Sequence, residues 1–283
     1  MRSTIRPLIL ASIVISSLIS GTALAHKKTV PASDLSITDT STLVYNSPDS
    51  LSIGQNRLIV RAENELGQVY GGPDIPVTLT LKQDTTTIEL PTHWVWTSVG
   101  YSGFYVANVV FKTAGQWQAI LSGDNGASQQ RYINVATHSA VPAVGQMAIA
   151  STTKVLNSTT SYNDLTTDDN PDPAFYSQSI SDAVASGSPS VIIFATPDLC
   201  RTAVCGPLLE QMKDLSKRIT DVNFVHVEVY EPVKRTNNKL VPVQAVIDWQ
   251  LPSEPWVFIV DSEGRIDSKF EGYITAEEIE SAL

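Results

Sequence analysis

Two thiols stand out as the residues best suited to chemistry. Cys200 and Cys205 are the only cysteines in the 283-residue chain, and four residues, Arg201-Thr202-Ala203-Val204, separate them. Such a pair can close a disulfide, open it again, and exchange with foreign thiols through a mixed disulfide. On a straight helix, five steps would set the two Cα atoms about 7.5 Å apart, beyond the roughly 4.4–6.8 Å of a bridge, so the segment must loop. Gly206-Pro207 follows directly, and proline is well placed in the first turn of a helix. A ring closed across so few residues favours a labile, exchanging bond; the alternative is a structural bridge that fixes the loop. Cys200 is read as the attacking thiol and Cys205 as its resolving partner. The competing assignment gives the attack to Cys205, which lies nearer the partial positive charge of the helix N-terminus.

Other clusters have simpler explanations. Asp168-Asp169-Asn170-Pro171-Asp172 is acidic, but it lacks the glycine and distal glutamate of a regular calcium loop and reads as a solvated linker. Trp94, Trp96, Tyr101, Phe104 and Tyr105 crowd one stretch, where core filling competes with an aromatic binding face. Glu277-Glu278 fits charge compensation at a helix start.

The elements that must position the thiols follow from pattern. Arg2 and Arg6, an apolar run from Pro7 to Ile19, and Ala23-Leu24-Ala25 form a signal peptide over 1–25, with cleavage expected before His26. An arm covers 26–45. From 46 to 136, the runs 57–61, 77–81, 105–111, 117–121 and 131–135 are rich in β-formers and separated by Gly-containing turns. That pattern predicts an antiparallel β-sandwich, immunoglobulin-like in architecture. Residues 137–173 are polar and turn-prone, a linker or an extended strap. From 174 to 283 helix and strand patterns alternate: a helix over 174–186, a fully apolar strand over 190–195, an amphipathic helix over 207–219, strands at 224–230, 256–260 and 266–270, and a closing helix from Thr275. The fold class is therefore mixed, a β-sandwich followed by an α/β domain.

This order, with a Cys after the first buried strand and a Pro opening a later one, resembles the thioredoxin-like family over 174–283. The matching pieces are Phe194-Ala195 before the cysteine loop, Cys205-Gly206-Pro207 at the helix start, Glu254-Pro255-Trp256 at the head of a strand, and Gly264 and Gly272 at later turns. The resemblance implies that Pro255 is a cis-proline facing the redox site and that Glu254, Pro255 and Trp256 shape the substrate groove. The chain departs from the family in two ways. Its motif is Cys-x4-Cys where Cys-x-x-Cys is usual, and Ile193 stands where many members bury an acid, so proton transfer needs another group. Relatives that deliver copper pair two thiols with a distant His; the corresponding residue is His226, on the same strand face as Glu228, where a hydrogen-bonded structural role is the simpler reading.

Composition narrows the partners. Removing 1–25 takes two arginines and no acid, leaving 17 basic against 29 acidic side chains, a surface that repels nucleic acid. The expectation is an exported thiol-disulfide oxidoreductase, secreted, periplasmic or at the cell surface. It would act on protein thiols or disulfides with a redox partner, use no cofactor or metal, and touch a membrane only if the signal segment is retained. The alternatives are a non-enzymatic envelope assembly protein whose thioredoxin-like domain is a scaffold, and a copper-handling protein.

Overall fold

The computed structural model describes residues 40–44, 50–64, 69–98, 102–123, 128–200, 203–231 and 240–283. The signal peptide expected over 1–25 lies outside the described residues. The chain is mostly β, arranged as four sheets with a few short helices, a mixed α/β class.

In the first half, β1 (Thr40–Val44), β2 (Gly54–Asn64), β3 (Val69–Tyr70), β4 (Val77–Gln83), β5 (Thr86–Pro91), β6 (His93–Ser98), β7 (Ser102–Phe111), β8 (Gly115–Gly123) and β9 (Ser128–Val135) make two antiparallel sheets. One has the order β1-β2-β7-β6 with β3 beside β2, and the other β5-β4-β8-β9. The sheets pack face to face because their side chains alternate. Val77, Leu79 and Leu81 of β4 and Trp117, Ala119 and Leu121 of β8 meet Leu58, Val60, Tyr105, Ala107 and Phe111 in one apolar cluster. Four strands of this half go beyond the predicted set. β1 forms within the expected arm, and β3, β5 and β6 lie where no strand was expected. The β4–β5 hairpin turns on Asp84-Thr85 without glycine, and Asp84 takes the left-handed conformation (φ 50°) that aspartate tolerates better than most residues.

In the second half, α1 (Tyr162–Leu165), α2 (Ile180–Ala185), β10 (Ser190–Phe194), α3 (Cys205–Ser216), β11 (Asn223–Val227), β12 (Tyr230–Glu231), β13 (Val241–Pro242), α4 (Gln244–Asp248), β14 (Trp256–Val260), β15 (Ile266–Glu271) and α5 (Ala276–Glu280) follow in order. The main sheet has the order β11-β10-β14-β15. β11 runs parallel to β10, whereas β14 and β15 run antiparallel to their neighbours. β10 is buried along its whole length. Val191 and Ile193 face a cluster with Leu208, Leu209 and Met212 of α3, while Ile192 and Phe194 face Trp249, Trp256 and Phe258 on the other side.

The single helix expected over 174–186 is two pieces, a 3-10 turn at Pro173–Tyr176 and α2. Ser179 breaks the run by capping α2, its hydroxyl accepting from the Asp182 N–H while the Asp182 carboxylate returns to the Ser179 backbone. Residues 137–173 are laid along the second half as a strap. Gly145 N–H donates to Ile266 O at 2.7 Å and Ala148 N–H to Gly264 O at 2.9 Å, and Val141, Ala148 and Leu165 are buried. The acidic run helps to anchor that strap, because Asp168 pairs with buried Lys213 of α3 at 2.9 Å and the Asn170 carbonyl accepts from the same ammonium at 2.8 Å.

The two halves share apolar core. Ile59, Val95, Phe104 and Val106, on the outer face of the first sheet, belong to the same cluster as Tyr273, Ile274 and Ile279. Polar ties surround this seam: Arg57 Nε to Glu278 at 2.8 Å, Arg57 to the Tyr273 carbonyl at 3.1 Å, and Ser50 Oγ to Glu271 at 2.6 Å.

Removing Asp168 leaves buried Lys213 only the exposed carboxylate of Glu210 as an acidic partner. Asp168→Ala should therefore cost about 1–3 kcal/mol in urea denaturation, whereas exposed Asp169→Ala should stay within about 0.5 kcal/mol. Equal effects would show that the Lys213 pair carries no stability.

Candidate functional site

The thiol loop lies between the buried end of β10 and the start of α3. Cys200 and Cys205 are joined in a disulfide with a Cα–Cα separation of 6.0 Å, inside the range a bridge requires. The segment loops, as the spacing demands. Ala203 N–H donates to the Cys200 carbonyl at 3.2 Å, and Ala203 takes φ 56°, a left-handed conformation that costs an L-residue about 1 kcal/mol or more. Cys205 is the first residue of α3 and is fully buried, while Cys200 keeps partial exposure at the edge of the same cluster. The helix begins two residues earlier than predicted and takes Cys205 and Gly206 into its first turn.

The peptide bond between Glu254 and Pro255 is cis. It directly precedes β14, whose pairing with β10 sets Trp256 opposite Phe194 and so brings residue 254 level with Thr196, beside the loop. The Glu254 carboxylate lies 3.9 Å from Cys205 Sγ. In the disulfide that sulfur has no proton to donate; in the dithiol it does, and the carboxylate is its near acceptor. Burial pushes the Glu254 carboxyl above the ordinary carboxylate range, and hydrogen bonds from the Thr196 hydroxyl and N–H partly offset that. Pro255 is buried, and Trp256 is 2 % exposed, its ring stacked on Phe258 and its indole N–H donated to Ser253 Oγ at 3.1 Å. Of the three residues expected to form a groove, Glu254 alone keeps partial exposure, and Trp256 faces the core.

Behind the loop lies His226, weighed from sequence as a copper ligand against a hydrogen-bonded structural residue, and it is buried and hydrogen-bonded. His226 Nε2 is 3.0 Å from the Ala195 carbonyl, which can only accept, so this nitrogen carries the proton. Nδ1 then accepts from the Tyr176 hydroxyl at 2.7 Å. Both ring nitrogens are thereby committed, and burial holds the His226 pKa down to about 4, leaving the ring neutral. Glu228, two residues on, accepts from Thr167 N–H at 2.8 Å and Thr167 Oγ1 at 3.0 Å, and burial raises its pKa to about 7. Among the described residues, no group of three or more His, Cys, Asp and Glu could hold a metal ion.

Neither a family model nor a curated protein matches the chain. Among solved structures, the chain is similar to one titled "ZirS C-terminal Domain", at a TM-score of 0.23 and 9% identity, with 48% of this chain and 86% of that chain covered. The roles of the site residues therefore rest on their own geometry.

The aromatic stretch is distributed over three places. Tyr105 belongs to the core between the two antiparallel sheets and Phe104 to the seam, its ring centroid 6.3 Å from that of Tyr273, while Tyr101 lies outside the described residues. Trp94 and Trp96, edge to face at 5.4 Å, border an open groove of about 1000 Å³ between β6 and the helices α3 and α5, with Pro207, Gln211 and Tyr273 on the opposite wall. No helix among the described residues is long and apolar enough to cross a membrane.

A carboxyl with a raised folded-state pKa favours folding fully below its unfolded value of 4.5, and that contribution is lost as pH rises through about 7. Glu228→Gln should thus match the parent in denaturant at pH 5 and exceed it at pH 8 by up to about 3 kcal/mol; a pH-independent difference would contradict the raised value. Ala203→Gly removes the left-handed penalty of the loop, and in glutathione buffers it should shift the dithiol–disulfide equilibrium about fivefold toward the disulfide.

Proposed function

We propose that this chain is an extracytoplasmic thiol-disulfide oxidoreductase whose C-terminal part, about 174–283, is a thioredoxin-like domain. The observation that carries the reading is the placement of the bridge: one sulfur partly exposed, the other sealed at the N-terminus of a 12-residue helix, and the cis Glu254–Pro255 bond beside the sealed one. The succession of a parallel strand pair around α3, the antiparallel strands β14 and β15, and α5 supports the resemblance to that family. The preceding antiparallel sheets, read as an immunoglobulin-like sandwich over 46–136, form a second domain that presents the target. A disulfide and the leader-like N-terminal sequence suit an oxidising compartment.

Cys200 attacks, because a sulfur must reach solvent to meet a foreign disulfide, and Cys205 resolves the mixed disulfide from inside. The groove that starts at Pro207, two residues beyond Cys205, offers an extended polypeptide a path toward the bridge, with Trp96 and Tyr273 supplying apolar contact. The competing reading is a permanent bridge in an envelope scaffold, favoured by the complete burial of Cys205.

Trapping separates the two. The Cys205→Ser variant, expressed in its own envelope, should accumulate mixed disulfides on Cys200 that a reductant releases, and Cys200→Ser should accumulate none. Capture by Cys200→Ser alone would reverse the roles. No capture by either, with a reduction potential below roughly −300 mV, would identify a structural bridge and end the oxidoreductase reading.

A further inference from the structure

Strand β6 is the outer member of its sheet and pairs with β7 on one side only. On an outer strand every second residue turns its N–H and C=O away from the sheet. Among the described residues, no hydrogen bond reaches that outward edge over 93–97. Other outer strands are guarded. β5 carries Glu89 and Pro91, and the strap covers β15 through bonds from Gly145 and Ala148 to Ile266 and Gly264. Residues 93–97 contain no proline, lysine or acid, the usual guards of a strand edge. A register shift after Trp96 keeps the open stretch short.

The groove of about 1000 Å³ runs along this edge, for residues 93–97 border it without a gap. Successive side chains of a strand point to opposite faces, so a groove that touches five in a row lies beside the edge and not over one face. Across it stand Pro207, Tyr273 and the acids Glu277 and Glu278. Charge selects the occupant. Glu278 is paired with Arg57 at 2.8 Å, whereas Glu277 is exposed and has no cationic partner among the described residues. Trp94 and Trp96 add indole rings, which attract cations as well as apolar groups. A second copy of the chain, itself of formal net charge −10, is the poorer match.

We propose that the β6 edge takes up an extended, lysine- or arginine-bearing segment of a client protein as an added strand, with a basic side chain set between Trp96 and Glu277. The proposal rests on the exchange reading above and names its substrate class, a client that presents a basic β-forming stretch. Pro207, two residues beyond Cys205, borders the same groove, so a segment held on β6 lies in a channel that reaches the start of α3. Main-chain bonds to β6 give affinity that many extended sequences share, and the cation gives the choice among them.

The test titrates the oxidised full chain, by calorimetry, with three capped peptides: an alternating valine–lysine hexapeptide, its valine–glutamate counterpart, and the lysine peptide methylated on every backbone amide. The lysine peptide should bind about tenfold more tightly than the glutamate peptide. The methylated peptide keeps the charge but loses the strand donors, and it should bind about tenfold more weakly than its parent. Bound lysine peptide should slow amide hydrogen exchange within 93–98. Glu277→Lys should reverse the preference between the two charged peptides, and Trp96→Ala should weaken the lysine peptide about fivefold. Equal binding of the lysine and glutamate peptides, undiminished binding of the methylated one, or protection outside β6 would overturn the proposal. A free chain that sediments as a dimer with 93–98 already protected would give the edge to a second copy and overturn it as well. Absence of binding while Cys205→Ser still traps partners on Cys200 would end the added strand alone; binding without trapping would sustain the strand and end the exchange reading.

Discussion

A five-residue strand with no solvent-facing side sets the geometry of the second half. Because β10 is flanked by β11 and β14 and covered on both faces, its side chains and backbone bonds are fixed on every side. The chain therefore leaves the strand at Phe194 along one path, which delivers Ala195 to His226, Thr196 to the Val229 N–H, and the loop beyond to the start of α3. Register does the rest. One pairing, Phe194 with Trp256, decides that the residue before the cis-proline is a neighbour of sulfur and not of solvent.

The parts legible in the sequence were those with an uninterrupted period. The run 190–195 is continuously apolar, Leu208, Leu209, Met212 and Leu215 recur at helical spacing, and 256–260 reads as a buried strand; each forms the expected element, displaced by no more than three residues at its ends. Local competition hid the rest. Ser179 ends one helical run by capping another, Asp84-Thr85 makes a hairpin without the glycine that usually announces it, and the polar strap buries only isolated apolar residues. The acids at the site were visible as letters but not as partners. Glu254 was assigned to a groove and Glu228 to a strand face, and their places beside Cys205 and Thr167 exist only once the chain is folded.

The two cysteines illustrate how burial divides labour that sequence leaves open. Helix position alone favours Cys205 as thiolate, since it opens α3. Solvent access favours Cys200 as the sulfur that meets a partner. In the folded chain these properties fall on different atoms, and the Glu254 carboxyl lies beside the buried one.

The seam between the halves limits how the chain can be divided. Ile59, Val95, Phe104 and Val106 point away from the core between the first two sheets and find their cover in Tyr273, Ile274 and Ile279. Severed after residue 136, each fragment would carry an oily footprint where the other had been seated, and Arg57 would lose the carboxylate of Glu278 that balances it. A fragment holding both cysteines would thus be complete in its redox atoms yet adhesive at its back, and its behaviour in isolation would report on that bare surface as much as on its sulfur chemistry.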